Sequence, residues 1–162
     1  MKRIIFLILF VGFTISLSAC ENTYKVTYIT NVETNEIIKE VENGAYAPDV
    51  SIQKEGYYLK GWYLNLDDCN EPNAAWNFEK DVVTSNTTLH ALWLPETYTI
   101  TFNDRFGEPT WVYQMTFGTD IGALDGITPE AIDGYTFVMW AETFPETMPA
   151  NNLTFNPIYE SE

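Results

Sequence analysis

Histidine is almost missing from this chain: His90 is the only one in 162 residues. Sites that need paired imidazoles, whether catalytic or zinc-binding, have nothing to be built from. Cysteine is nearly as scarce, with only Cys20 and Cys69, too few for a disulfide framework. Basic residues number 8 against 23 acidic ones, for a formal net charge of -15, and beyond Lys80 the only Lys or Arg is Arg105. So acidic a surface repels phosphate backbones and anionic lipid alike, which argues against nucleic acid as a partner. Past the opening residues there is no further long apolar run, so no membrane-spanning segment is expected there.

What the chain does have begins at its N-terminus. Lys2 and Arg3 precede a nearly continuous apolar run from Ile4 onward, closed by Leu17-Ser18-Ala19-Cys20. The run is shorter than the roughly 20 residues of a spanning helix. Charge, apolar run, Leu three places before Cys and small residues between them together resemble a bacterial lipoprotein signal. The resemblance implies that residues 1–19 are removed by cleavage between Ala19 and Cys20, and that Cys20 carries the lipid. Two or more acyl chains, at about 0.8 kcal/mol per buried CH₂, hold a protein stably on a bilayer. The expected location is therefore the outer face of the cell membrane, with residues 20–23 as a tether of only about 10 Å at ~3.3 to 3.6 Å per residue.

The remainder is internally repetitive. Glu55-Gly56-Tyr57 leads through alternating positions to Trp62, and Asp133-Gly134-Tyr135 leads at the same spacing to Trp140. Each reads as a turn feeding a half-buried strand. Tyr24, Val26 and Tyr28 alternate along a first strand, and Ile37, Ile38 and Val41 mark a second that completes a hairpin before Asn43-Gly44. The alternation continues through Trp76-Asn77-Phe78 and ends with Leu89, Ala91 and Trp93 on one face of a last strand, His90 on the other. Tyr98, Ile100 and Phe102 restart the pattern, and Gly118 stands 74 residues after Gly44. Residues 24–94 and 98–160 are thus expected to be two small domains, with 95–97 as linker.

Two short helices are expected between strands. Pro48-Asp49 opens residues 50–55, which Gly56 would end; Thr128-Pro129 opens the better candidate, which Gly134 would end. Pro157 cannot donate to a strand ladder, so the closing strand should lie at an edge or be bulged. Strands with a short helix per domain make the fold class α+β, strand-rich.

In that order, with Glu55-Gly56-Tyr57, Gly61-Trp62-Tyr63, Trp76-Asn77-Phe78 and Thr88-Leu89-His90-Ala91-Leu92-Trp93, the first part resembles a Listeria-Bacteroides repeat, also called the internalin B-repeat. The second part resembles a variant ending Thr147-Met148-Pro149-Ala150, with Met139 in place of Gly61 and Tyr159 in place of the last Trp. The resemblance implies two tandem β-grasp-like, ubiquitin-like domains on a bacterial surface protein. It implies no shared catalytic residue, cofactor or metal.

Candidate chemistry is sparse. Asp67, Asp68 and Glu71 sit in an oxygen-rich loop with Asn65, Asn70 and Asn73, but without the central Gly and terminal Glu of a calcium loop, so no metal is expected. Cys69 lies in the same loop as a passive thiol. Trp111, followed by Tyr113, has no aromatic counterpart in the first part and is the residue expected to face a partner. The expected function is non-catalytic: an interaction, adhesion or spacer module held to the membrane through Cys20, its partner an extracellular protein or, alternatively, a glycan stacked on exposed aromatics.

Overall fold

The computed structural model describes residues 22–32 and 36–162. The expected signal segment, its cleavage between Ala19 and Cys20, and the lipidated Cys20 lie outside the described residues.

The first half is one sheet. Strand β1 (Thr23–Ile29) runs antiparallel to β2 (Glu36–Glu42) and parallel to β4 (Thr87–Pro95), which in turn pairs antiparallel with β3 (Tyr57–Tyr63). The order across the sheet is β2-β1-β4-β3. Alternation places Val26, Tyr28, Leu89, Ala91 and Trp62 on one buried face, where Tyr28 meets Trp62 edge-on at 5.0 Å. That geometry adds about 0.5–1.5 kcal/mol to the burial of both rings.

The second half follows the same order with one strand cut in two. Strand β5 (Thr97–Asn103) pairs antiparallel with β6 (Pro109–Thr116) and parallel with β8 (Leu153–Phe155), while β7 (Tyr135–Trp140) pairs antiparallel with β9 (Pro157–Ser161). Together β8 and β9 occupy the place of β4. The expected irregularity at Pro157 takes the form of a break at Asn156. The Glu142 carboxylate accepts from both the backbone N–H and the side-chain amide of Asn156, each at 2.7 Å, and the amide of Asn103 donates to Asn156 Oδ1 at 2.8 Å. The first of these bonds satisfies a backbone N–H that a continuous ladder would otherwise have paired. A second core forms around Phe102, which lies 5.0 Å from Trp140 and stacks on Phe155 at 5.2 Å.

The expected α+β class needs correcting. Among the described residues there is no α-helix, and the molecule is strand-rich with several small sheets. Neither residues 50–55 nor the segment after Thr128 is helical; each runs irregularly into a tight turn, with Tyr57 N–H on the Lys54 carbonyl and Tyr135 N–H on the Ile132 carbonyl, both at 3.0 Å. The physical reason is length. One or two helical turns cannot repay their nucleation, whereas an extended path lets Val50 and Ile52 both pack on the first core. What helical structure there is consists of two 3₁₀ turns, Leu66–Asp68 and Gly122–Gly126. Between β4 and β5 only Glu96 stands outside a strand.

Candidate interaction surface

Strand β6 is the outermost strand of its sheet. Its backbone therefore presents an unpaired row of donors and acceptors, the feature that proteins ordinarily guard with charge. Strand β2 holds the same place in the first half and is guarded by Glu36, Lys39, Glu40 and Glu42. Registered through β1 and β5, Lys39, Glu40 and Glu42 of β2 correspond to Tyr113, Gln114 and Thr116 of β6. Strand β6 carries no charged residue at all.

Three of its side chains, Trp111, Tyr113 and Met115, turn inward onto the second core. Trp111 and Tyr113 are half-buried and meet the Phe102 ring edge-on, with centroids 6.4 Å and 6.1 Å away. The residues that face outward are Thr110, Val112, Gln114 and Thr116, and Val112 is 59% exposed. Trp111 and Tyr113 thus brace the strand from behind, and its exposed edge is built by their neighbours.

A second surface lies at the β5–β6 turn. Asp104 Oδ1 accepts from the N–H groups of Phe106 and Glu108 at 2.7 Å and 2.9 Å, and Gly107 supplies the left-handed residue at φ 87°. The turn so fixed projects Phe106 into solvent at 79% exposure. The Arg105 guanidinium stands 4.4 Å from the Tyr135 ring and 5.1 Å from Phe106, distances at which a cation is attracted to the ring face. An open groove of about 320 Å³ runs here between Arg105, Phe106, Ile132 and Tyr159. The Tyr159 hydroxyl titrates above its ordinary range because burial disfavours the anion; Arg105 opposes the rise, and Asp104 and Glu130 add to it. Neither Phe106 nor Tyr135 stands out in the sequence as a surface residue, although an aromatic beside a turn glycine, as in Phe106-Gly107, was the available signal.

The remaining candidates are not gathered into one place. His90 is half-buried in β4, paired with Ile29 on one side and Tyr63 on the other. Cys69 is a half-buried free thiol closing the first 3₁₀ turn, and its carbonyl accepts from Lys60 Nζ at 3.2 Å. Asn65 Oδ1 caps the same turn through the Asp67 N–H at 3.1 Å. Among the described residues no group of three or more His, Cys, Asp or Glu is placed to hold a metal ion. Nor is any helix among them long and apolar enough to cross a membrane.

Residues 24–92 match the model of the Listeria-Bacteroides repeat domain, so one such domain is present. Two proteins of Evansella cellulosilytica are similar to the chain. One, provisionally named a membrane protein, is 30% identical over 121 residues, 74% of this chain and 17% of its own length. The other, provisionally named a Gly-rich membrane protein, is 29% identical over 120 residues, 74% of this chain and 13% of its own. The chain spans less than a fifth of either relative.

Proposed function

We propose that this chain is a membrane-associated bacterial surface protein, held by lipid on Cys20, that acts as a non-catalytic interaction module through the edge of β6. The observation that carries the reading is the contrast between the two outermost strands. Position for position, β2 is charged and β6 is not, in a chain that is otherwise strongly acidic. An uncharged edge braced by Trp111 and Tyr113 is suited to receive an extended segment of a partner, whose main chain would complete the ladder while Val112 and Gln114 contact its side chains. The match of residues 24–92 to a Listeria-Bacteroides repeat and the membrane-protein names of the two relatives support the surface setting.

The second half is read as a divergent copy of the first. The shared strand order and the recurring Gly-Tyr turn support this, as does the pairing of Phe102 with Trp140 at the 5.0 Å that separates Tyr28 from Trp62. Both copies would follow a β-grasp-like plan in which an extended connection stands in for the helix. The glycan reading has less to rest on, because Trp111 and Tyr113 are half-buried against Phe102.

The test is capture from solubilised envelope on beads carrying the mature chain, beside a Val112→Lys chain whose folding is checked by circular dichroism. The expected result is a specific protein retained by the first and lost by the second. Equal capture by both would remove β6 from the account.

A further inference from the structure

The outer edge of β6 can be resolved group by group. Thr99 N–H donates to Asn152 Oδ1 at 2.8 Å, on the β8 side of β5, so Thr99 and its neighbour Gln114 exchange no ladder bonds. By alternation Tyr113 and Met115 bond to β5, while Val112 and Gln114 turn both N–H and C=O out of the sheet. Phe117 obeys the same alternation, its N–H donating to the Glu96 carbonyl at 2.8 Å. The ends of the strand differ. Thr110 is the extra residue of a bulge opposite Phe102 and Asn103, and the Thr116 carbonyl already accepts from Thr119 N–H at 3.0 Å. The groups left for a partner strand are therefore those of Val112 and Gln114.

These two residues flank Tyr113, and a twofold axis there makes them partners. If the added strand is β6 of another copy, turned about Tyr113, Val112 of each chain falls opposite Gln114 of the other and both pairs bond through their outward groups. The same register sets Trp111 against Met115 and Tyr113 against itself, so the half-buried inner side chains of the two strands cover one another. Glu108, just before the strand, comes opposite Gly118, and no like charges meet. Neighbouring registers are poorer. Centring on Val112 calls on the bulged Thr110, and centring on Gln114 calls on the engaged Thr116 carbonyl. Strand β2 refuses the operation altogether: turned about Lys39, which corresponds to Tyr113, it sets Lys39 against Lys39 and Glu36 against Glu42. Like charges directly opposite destabilise a strand pair.

We propose that β6 pairs antiparallel with β6 of a second copy of this chain, in a twofold register centred on Tyr113. The two sheets join into one, in the order β8-β5-β6-β6-β5-β8. Charge supports this occupant, since an uncharged strand is the stretch along which two chains of formal charge -15 can approach. Repulsion elsewhere keeps the pairing weak and lets added salt strengthen it, the reverse of what a basic partner would show. The inference deepens the reading of β6 as a receiving edge and rests on it, naming the segment received. The protein retained from the envelope is then this chain itself, held through the many copies on each bead.

The test is a concentration series of the isotope-labelled full mature chain, from about 5 μM to about 500 μM, read by amide shifts. The Val112 and Gln114 signals should move saturably with a Kd of about 100 μM or below, while those of Lys39 and Glu40 in β2 stay in place. Val112→Pro, which removes an outward donor that β5 does not use, should raise the Kd at least about tenfold in a chain whose folding is checked by circular dichroism. A charged pair keeps the test open should proline disturb the fold. Chains carrying Val112→Lys and chains carrying Gln114→Glu should associate with each other more tightly than either does with itself, because only the Tyr113-centred register sets the introduced cation against the introduced carboxylate. Signals unmoved up to 500 μM, or an association that salt weakens, overturn the second copy as partner; equal shifts in β2 overturn the choice of edge, and a mixture without preference overturns the register. Failure of the interaction reading is distinguishable, because it appears as equal envelope capture by the wild-type and Val112→Lys chains. A monomeric chain that still captures through Val112 removes only the second copy.

Discussion

The ring of Phe117 occupies the space where a side chain on Gly56 would begin. A close packing contact thus joins the two halves, and it requires glycine, since the left-handed backbone at φ 73° and the missing Cβ are both needed there. Gly56→Ala should expel Phe117 and uncouple the halves, at a cost exceeding the roughly 1 kcal/mol of a left-handed alanine alone. Gly134→Ala is the matched control, having the same φ and open space around it. Denaturant unfolding should show a smaller loss for the control, and ¹⁵N relaxation should show the halves tumbling together in it but separately in Gly56→Ala.

Tyr28 makes stability fall at high pH. Its hydroxyl, buried in the first core and donating to the Pro48 carbonyl, is pushed up from 10.0 to about 12, chiefly by burial and secondarily by Asp49. The folded form holds the proton more tightly than the unfolded chain. The resulting stability is fully present below pH 10 and is lost as pH rises through 12, a change of about 2–3 kcal/mol at 1.36 kcal/mol per pKa unit. Tyr28→Phe should be less stable at pH 7 by about 1 kcal/mol for the lost hydrogen bond, and should show a shallower decline from pH 10 to 12. Equal slopes for the two proteins would count against this assignment.

Glu142 holds the broken strand. Two bonds to a charged acceptor are lost in Glu142→Ala, which should destabilise the second half by about 2–4 kcal/mol and leave the first half little changed. Hydrogen exchange resolves the two halves, and equal acceleration in both would contradict the expectation.

The proposed lipid anchor makes attachment to the membrane an expected property of Cys20. Expressed from Met1 in a bacterial host, the chain should sediment with membranes and incorporate labelled fatty acid, and Cys20→Ala should abolish the label. A labelled Cys20→Ala chain would contradict the lipid site.

The strands were legible because strict alternation along Tyr24, Val26 and Tyr28, and along Leu89, Ala91 and Trp93, needs no tertiary information. The helices were misread for an instructive reason. Pro48-Asp49 and Thr128-Pro129 are good helix starts, but cap chemistry only adds to a helix that something else stabilises, and Val50 and Ile52 gain more by reaching the core extended. Trp111 was identified as unusual, yet which face of β6 it occupies follows from register with β5, and register placed it against Phe102. The contact of Gly56 with Phe117 joins residues 61 apart across the two halves, and neither residue carries a local sign of it.

The most direct measurement of the central claim is amide hydrogen exchange along the full mature chain, free and bound to the protein it captures from the envelope. If β6 receives a partner strand, amides between Pro109 and Thr116 that face away from β5 should slow on binding by at least about tenfold, equivalent to about 1.4 kcal/mol of added local protection, while those of β2 stay unchanged. A bound partner that leaves β6 exchange as it was in the free chain would contradict the account.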